Sequence, residues 1–334
     1  MGQAISRSAP ASWPIPTRHA STRKPFIRPR LFSALLGSTM WIYLNDRFVH
    51  DHEAVISVFD HGFLYGDGVF ETMRSYGPRL FMRDRHLSRL FQSADAIGIK
   101  IPTPLAQWAD ILHEALVRNE VGNDHQDAYV RITISRGVGE IGLDPALCSS
   151  PTVVVMTKPL VPPASCLYDH GVTVKVASTK RNLPSALPPR IKTTNFLNNI
   201  LAKQEAIAGN AFDSLLLNWE GHLTEGTTSN LFFVRDGRLS TPALDCGLLN
   251  GITRQVVIQL AEELHLPFEE GYFTVDQLYQ ADECFLTNTS MEILPVVAVD
   301  NRRVGSGAPG PLTRKLQARF IQSRARLSEP PTSS

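Results

Sequence analysis

Lys158-Pro159-Leu160-Val161-Pro162-Pro163 interrupts a 334-residue chain near its middle. Three prolines in six residues, with no apolar period, make a stiff connection. On its N-terminal side, residues 128–135 and 152–157 are short and β-branched, the pattern of strands. Further upstream, residues 85–97 place Leu87, Leu90, Phe91, Ala94 and Ile97 at helical spacing, and residues 105–118 read as a second helix. Trp41-Ile42-Tyr43-Leu44 and Arg47-Phe48-Val49-His50 flank Asn45-Asp46 as a hairpin. On its C-terminal side, strands are expected at 172–177, 214–218, 230–234 and 283–287, with helices at 195–208 and 253–264. The alternation lacks the regular rhythm of a doubly wound sheet. The expectation is an α+β chain in two lobes: a small N-terminal α/β domain at 40–157, a Pro-rich linker at 158–170, a larger C-terminal domain at 171–323, and a polar tail at 324–334 that frays.

Composition narrows the function. Thirty-three Lys and Arg against 32 Asp and Glu give a net charge of +1, which supplies no electrostatic reason to expect nucleic acid as a partner. No apolar stretch approaches the length of a membrane span. Residues 1–39 differ from the rest, with Arg7, Arg18, Arg23, Lys24, Arg28 and Arg30 and no acidic residue. This leader reads as a disordered basic arm, a transit-like segment, or sequence ahead of a true start at Met40. Cys148, Cys166, Cys246 and Cys284 are scattered, with no C-x-x-C pair and no His at ligand spacing. Isolated thiols of this kind fit a reducing, cytoplasmic setting, and no metal site is expected.

Six short segments carry chemistry. They are Asp60-His61-Gly62-Phe63-Leu64-Tyr65-Gly66-Asp67-Gly68-Val69-Phe70-Glu71; His86-Leu87-Ser88-Arg89-Leu90; Lys192-Thr193-Thr194-Asn195-Phe196-Leu197; Glu225-Gly226-Thr227-Thr228-Ser229-Asn230-Leu231-Phe232; Gly251-Ile252-Thr253-Arg254; and Thr287-Asn288-Thr289-Ser290-Met291-Glu292. Singly, each has a plain structural explanation. Arg89 could be a surface cation, Gly251 simple end geometry, Glu225 a turn cap. Together they supply one lysine, one arginine, a helix start with free amides and a carboxylate. A pyridoxal 5′-phosphate site needs that set: an amine for the aldehyde, Arg and amide donors for the phosphate, and a carboxylate to keep the pyridine nitrogen protonated.

In order and spacing, these segments resemble the class IV pyridoxal-phosphate enzymes, the group of branched-chain aminotransferases, D-amino-acid aminotransferases and aminodeoxychorismate lyases. The resemblance runs from Trp41 to about Phe320. It implies the two-lobed class IV aminotransferase fold (fold type IV), with cofactor between the lobes and a homodimer or a multiple of it. It makes Lys192 the lysine that joins the cofactor aldehyde and moves the substrate proton, and Glu225 the partner of the pyridine nitrogen. Arg89, Ile252, Thr253 and Thr289 match the phosphate-binding positions, and Leu249 the leucine packed on the ring. Tyr65, Phe70, Thr72, Tyr129, Arg131 and Ser290 fall at substrate-binding positions, and the loop from Gly137 to Asp144 would reach toward a neighbouring subunit's site.

Within the family the motifs divide. Tyr129-Val130-Arg131 and Gly137-Val138-Gly139-Glu140-Ile141-Gly142-Leu143-Asp144-Pro145 are similar to branched-chain aminotransferases. Thr72 stands where those enzymes usually have Gly, and Phe196 where they have Tyr. Ser229-Asn230-Leu231-Phe232, Thr241-Pro242-Ala243-Leu244-Asp245 and the Thr287–Glu292 segment look closer to the lyases. Ile141-Gly142-Leu143 replaces the Arg-x-His trap of the D-amino-acid enzymes. The first expectation is therefore an aminotransferase moving an amino group between a branched-chain or similar apolar amino acid and 2-oxoglutarate. The second is a 4-amino-4-deoxychorismate lyase, and the third a D-amino-acid aminotransferase.

Overall fold

The computed structural model describes residues 40–123 and 126–329. The leader expected at 1–39 and the last five residues of the expected tail lie outside them. The described chain is α+β and built on two sheets.

The N-terminal part opens with the expected hairpin, β1 Trp41–Leu44 and β2 Arg47–His50, followed by the short helix α1 His61–Tyr65. Then come β3 Gly68–Tyr76, β4 Arg79–Phe81, α2 Arg83–Ala96, α3 Trp108–Arg118, β5 Ala128–Ser135 and β6 Thr152–Pro159. The helix expected over 105–118 splits at Trp108, because residues 105–107 form a single 3-10 turn. One face of this sheet buries Val69, Met73, Ile132 and Val153 against Leu87 and Leu90 of α2 and Trp108 and Leu112 of α3. That burial of large apolar side chains is worth roughly 1.5–3 kcal/mol for each one.

The expected linker is shorter than 158–170. Lys158 and Pro159 finish β6, paired with Tyr129 and Ala128 of β5. Pro159 is tolerated because β1 pairs with β6 only at Val154 and Val155, so no strand on that side needs its missing N–H. Ser165–His170 forms α4, which leaves 160–164 as the irregular connection.

The C-terminal part continues with β7 Val172–Val176, α5 Leu197–Ala208, β8 Asp213–Leu217, β9 Leu223–Gly226, β10 Asn230–Arg235, β11 Arg238–Pro242, α6 Ile252–Glu263, β12 Phe268–Gly271, α7 Val275–Tyr279, β13 Glu283–Asn288, β14 Glu292–Val299, β15 Arg302–Arg303 and α8 Pro311–Ser323. Its sheet runs β12-β11-β10-β13-β14-β7-β8-β9, and β9 also meets β10 at the pair Asn230 and Glu225. The sheet therefore curls back on itself beside Glu225. Both faces are covered. Leu231, Phe233 and Leu286 face one core. Phe232, Val234 and Phe285 face another, which holds Val256 and Leu260 of α6, Leu316 and Phe320 of α8, and Phe81 and Met82 from the N-terminal part.

The tail departs from expectation. Residues 324–329 do not fray: Ser328–Glu329 forms β16, pairing antiparallel with Phe81 and Leu80 of β4 and closing the edge of the N-terminal sheet.

Candidate active site

The alternation of β3 sets the site. Val69 and Met73 point into the core under α2, with Glu71 between them, whereas Phe70 and Thr72 face the second lobe. The β3–β5 register places Thr72 beside Arg131 and Phe70 beside Thr133. Tyr129 and Arg131 of β5 thus stand next to Phe70 and Thr72: the Thr72 hydroxyl lies 3.3 Å from the Tyr129 hydroxyl, and the Arg131 guanidinium sits 4.0 Å above the Phe70 ring.

Lys192 lies on a segment stitched to β3. Its carbonyl accepts from the Phe70 amide at 3.0 Å, and the Thr194 amide donates to the Gly68 carbonyl at 2.9 Å. The Lys192 Nζ sits 4.5 Å from the Phe70 ring centroid and 5.9 Å from that of Phe196. Burial, and then the nearby Arg89 guanidinium, lower the amine to about 8.

Glu225 is buried at the seam of the curled sheet. One carboxylate oxygen accepts from Arg181 Nε at 2.8 Å, the other from the Leu249 amide at 3.0 Å. Burial raises its pKa even though Arg181 pulls the other way. Asn230, its strand partner, donates through Nδ2 to the Leu249 carbonyl at 2.8 Å, so one residue holds the main chain that holds the carboxylate.

Leu249 leads into Gly251, the N-cap of α6, which offers no side-chain cap. A Cβ at Gly251 would stand 2.0 Å from Asn230 Oδ1, so this approach requires glycine. The amides of Ile252 and Thr253 open the helix as free donors, with its dipole positive at that end. Arg89 of α2 donates to both oxygens of Glu71, at 2.6 and 2.9 Å, and through Nη1 to the Asn250 carbonyl at 2.8 Å. Glu71 also accepts from His86 at 2.8 Å and is held far below the usual carboxylate range by Arg89 and His86, despite its burial. Thr289 and Ser290 sit on the turn between β13 and β14, where Asn288 Oδ1 accepts from the Ser290 and Met291 amides.

These residues line one cavity of about 460 Å³: Arg89, Lys192, Glu225, Leu249, Ile252, Thr253 and Thr289 among those expected to hold cofactor, and Phe70, Thr72, Tyr129, Arg131 and Ser290 among those expected to hold substrate. Tyr65 is not among its lining residues. It ends α1, where its hydroxyl accepts from the Gly142 amide at 3.1 Å, so within one chain it braces the 137–144 loop. Three polar residues that shape the site were absent from the expected set. Glu71 and His86 lie inside the quoted motifs, and the His86-Arg89 spacing of one helical turn is a signal that both serve one partner. Arg181 carries no such signal, being 44 residues from Glu225 in sequence.

The donor set fits pyridoxal phosphate. A lysine amine of lowered basicity, a buried carboxylate braced by a guanidinium, and a helix start beside an arginine occupy three walls of one cavity. No helix among the described residues is long and apolar enough to cross a membrane.

Comparison with known proteins agrees. The family model for amino-transferase class IV matches residues 68–299. A Methanocaldococcus jannaschii protein provisionally assigned as a branched-chain-amino-acid aminotransferase is 40% identical over 287 residues, covering 86% of this chain and 97% of that one. The D-alanine aminotransferase of Bacillus licheniformis is 35% identical, covering 85% and 97%. The aminodeoxychorismate lyase of Bacillus subtilis is 34% identical, covering 83% and 92%. Among solved structures, the branched-chain amino acid aminotransferase of Escherichia coli superposes with a TM-score of 0.83 at 30% identity, covering 87% of this chain and 97% of that one. A second branched-chain amino acid aminotransferase, solved with pyridoxamine 5′-phosphate, gives 0.82 at 31%, covering 88% and 99%. Class IV aminotransferases use pyridoxal phosphate, and with the fold, the cavity and these likenesses together, the chain belongs to the class IV aminotransferase family and is an enzyme of that type.

Proposed function

We propose that this enzyme holds pyridoxal 5′-phosphate and transfers an amino group between a branched-chain or similar apolar amino acid and 2-oxoglutarate. The observation that carries the reading is the substrate side of the cavity: an aromatic floor of Phe70 and Phe196, in edge contact at 5.1 Å, with the Arg131 guanidinium and the Lys192 amine both against the Phe70 ring. Phe70, Phe196 and Leu187 suit an aliphatic side chain, and Arg131 suits the second carboxylate of 2-oxoglutarate or glutamate. When bound, the cofactor supplies an aldehyde that accepts the amino group and a protonated ring that draws electrons from the substrate's α-carbon. Lys192 takes the α-proton on Nζ and returns it, which an amine near neutrality can do in both directions. Glu225 would hold a proton at the ring nitrogen. Arg89, the Ile252 and Thr253 amides and the Thr289 hydroxyl would hold the phosphate, and Leu249 would support the ring. Ser290 and Tyr129 orient the substrate carboxylate.

Glutamate formed from leucine and 2-oxoglutarate, with borohydride trapping the cofactor on Lys192, is the expected result. A reduced adduct on another lysine, or on none, sinks the assignment of the site. A second reading is favoured by Thr72, whose β-branched side chain narrows the wall that would take an aliphatic substrate: release of pyruvate from 4-amino-4-deoxychorismate, with no glutamate from leucine, establishes the lyase instead. Activity confined to D-alanine would support the third. We also assign a cytoplasmic homodimer, supported by the four unpaired cysteines and by the exposed apolar residues Phe63, Ile141 and Leu143 around Tyr65. In it, Tyr65 and the 137–144 loop serve the partner's cavity.

A further inference from the structure

We propose that residues 324–329, outside the cavity, form a positioning strap that fixes the two sides of the phosphate cradle relative to each other. The inference rests on the reading of that cradle given above.

The strap touches each element that carries a cradle residue. Arg89 belongs to α2, and α2 does not cap itself. Its N-cap, Met82, has φ of 52° and no side-chain hydrogen bond to the helix. The strap caps it from elsewhere in the chain. The Met82 amide donates to the Leu327 carbonyl at 3.1 Å, and the Arg83 amide donates to a Glu329 carboxylate oxygen at 2.8 Å. A carboxylate at a helix start satisfies an orphan donor and complements the dipole.

Thr289 belongs to the turn that leads into Glu292, itself buried with φ of 58°. Arg324 bonds one oxygen of Glu292. The other oxygen takes Arg74 Nη1 at 2.9 Å and the Tyr76 hydroxyl at 2.5 Å, both from β3. Arg74 also donates to the Ser290 carbonyl at 3.3 Å. The Arg74 and Arg324 guanidinium groups also lie against the Tyr76 ring, 4.6 and 4.8 Å from its centroid. Ile252 and Thr253 open α6, and Glu263 at its far end takes Arg326 of the strap, beside Arg319 of α8, each at 2.9 Å. One short run of chain thus sets where α2 starts, where the Thr289 turn sits and how α6 is anchored. Phosphate donors on α2 and on the turn must keep a fixed spacing to bind one dianion, and two buried ends tied to one strap supply it.

The test uses full-length holoenzyme carrying Arg324→Met, Arg324→Lys or Glu329→Gln. Release of pyridoxal phosphate into a trapping apoenzyme is timed, and melting is followed with and without cofactor. Arg324→Met is expected to speed release at least tenfold and to shrink the rise in melting temperature that cofactor gives. Turnover at saturating cofactor should stay within about twofold of the parent. Arg324→Lys should recover most of the retention, and Glu329→Gln should speed release about threefold. A purely structural role would lower melting equally with and without cofactor and leave release unchanged, and that result overturns the proposal. Should Arg324→Met fail to fold, Glu329→Gln decides by the same two readouts. If the parent itself takes up no pyridoxal phosphate, the reading of the cradle has failed. If the parent retains it and every variant retains it equally, the strap alone has failed.

Discussion

The Lys192 amine is poised between its two protonation states by what surrounds it. An ordinary lysine amine near 10.4 is almost wholly protonated at pH 7.5, whereas one near 8 is neutral in roughly a quarter of molecules. Neutral amine is the attacking form, so its fraction grows as pH rises through 8 and the gain is complete well before pH 10. Uptake of pyridoxal phosphate by the cofactor-free protein should accelerate with a midpoint near pH 8, and Lys192→Ala should abolish it. A midpoint near 10 would show that burial and Arg89 do not act on this amine. The same environment bears on folding. The unfolded chain binds more protons between about pH 8 and 10.5, so this lysine adds stability as pH rises through that window. Thr72 lines the same cavity, on the proposed substrate wall. Replacing it with Gly opens the wall beside Tyr129, and the preference for leucine over alanine, read as the ratio of kcat/KM values, should rise about tenfold. An unchanged ratio would place the side-chain pocket elsewhere.

At the scale of elements, the loop from Leu249 to the start of α6 depends on a missing side chain. Gly251→Ala would drive a methyl group into Asn230, whose amide holds the Leu249 carbonyl, and through it the amide on Glu225. The expected outcome is cofactor affinity weakened at least tenfold, measured by titration of cofactor-free protein, with a loss of about 1–3 kcal/mol in stability. Glu71→Leu removes a fully buried carboxylate and leaves Arg89 and His86 without their shared partner, and should cost about 3–5 kcal/mol by denaturant unfolding. How legible these elements were follows from their burial. Residues 85–97 bury one stripe and show it as a 3.6-residue period, and the 128–135 strand alternates cleanly. Gly68–Tyr76 does not read as a strand, because both its faces are buried and its buried positions include Glu71, Arg74 and Ser75. The helix expected from Asn195 begins at Leu197, since the Asn195 side chain donates to the Gly66 carbonyl at 2.8 Å and ties that residue to the first lobe. The site lysine, arginine and carboxylate were readable as ordered motifs. Arg181 was not, because its pairing with Glu225 exists only once the sheet curls.

At the scale of the whole molecule, the apolar rim around Tyr65 is the surface on which the proposed second copy would pack. Phe63, Ile141 and Leu143 are each more than two-thirds exposed, an arrangement that costs solubility unless covered. Leu143→Asp combined with Phe63→Asp should shift sedimentation from dimer to monomer and depress turnover, because the Tyr65 loop would no longer reach a neighbouring cavity. A protein that is monomeric and fully active before substitution would remove the dimer from the proposal.

The irregular stretch at 160–164 connects the two sheets of one compact unit, and residues of the proposed site come from both sides of it. The reactive amine is sewn by main-chain bonds onto the first sheet, although it is encoded beyond the junction, while the acid at 225 stays with the second. A gene divided at that junction would yield two polypeptides with respectable interiors and no competence apart. Mixed together, they would regain turnover only at the pace at which the lysine segment of one finds the strand of the other, which makes complementation of the halves a clock for their docking.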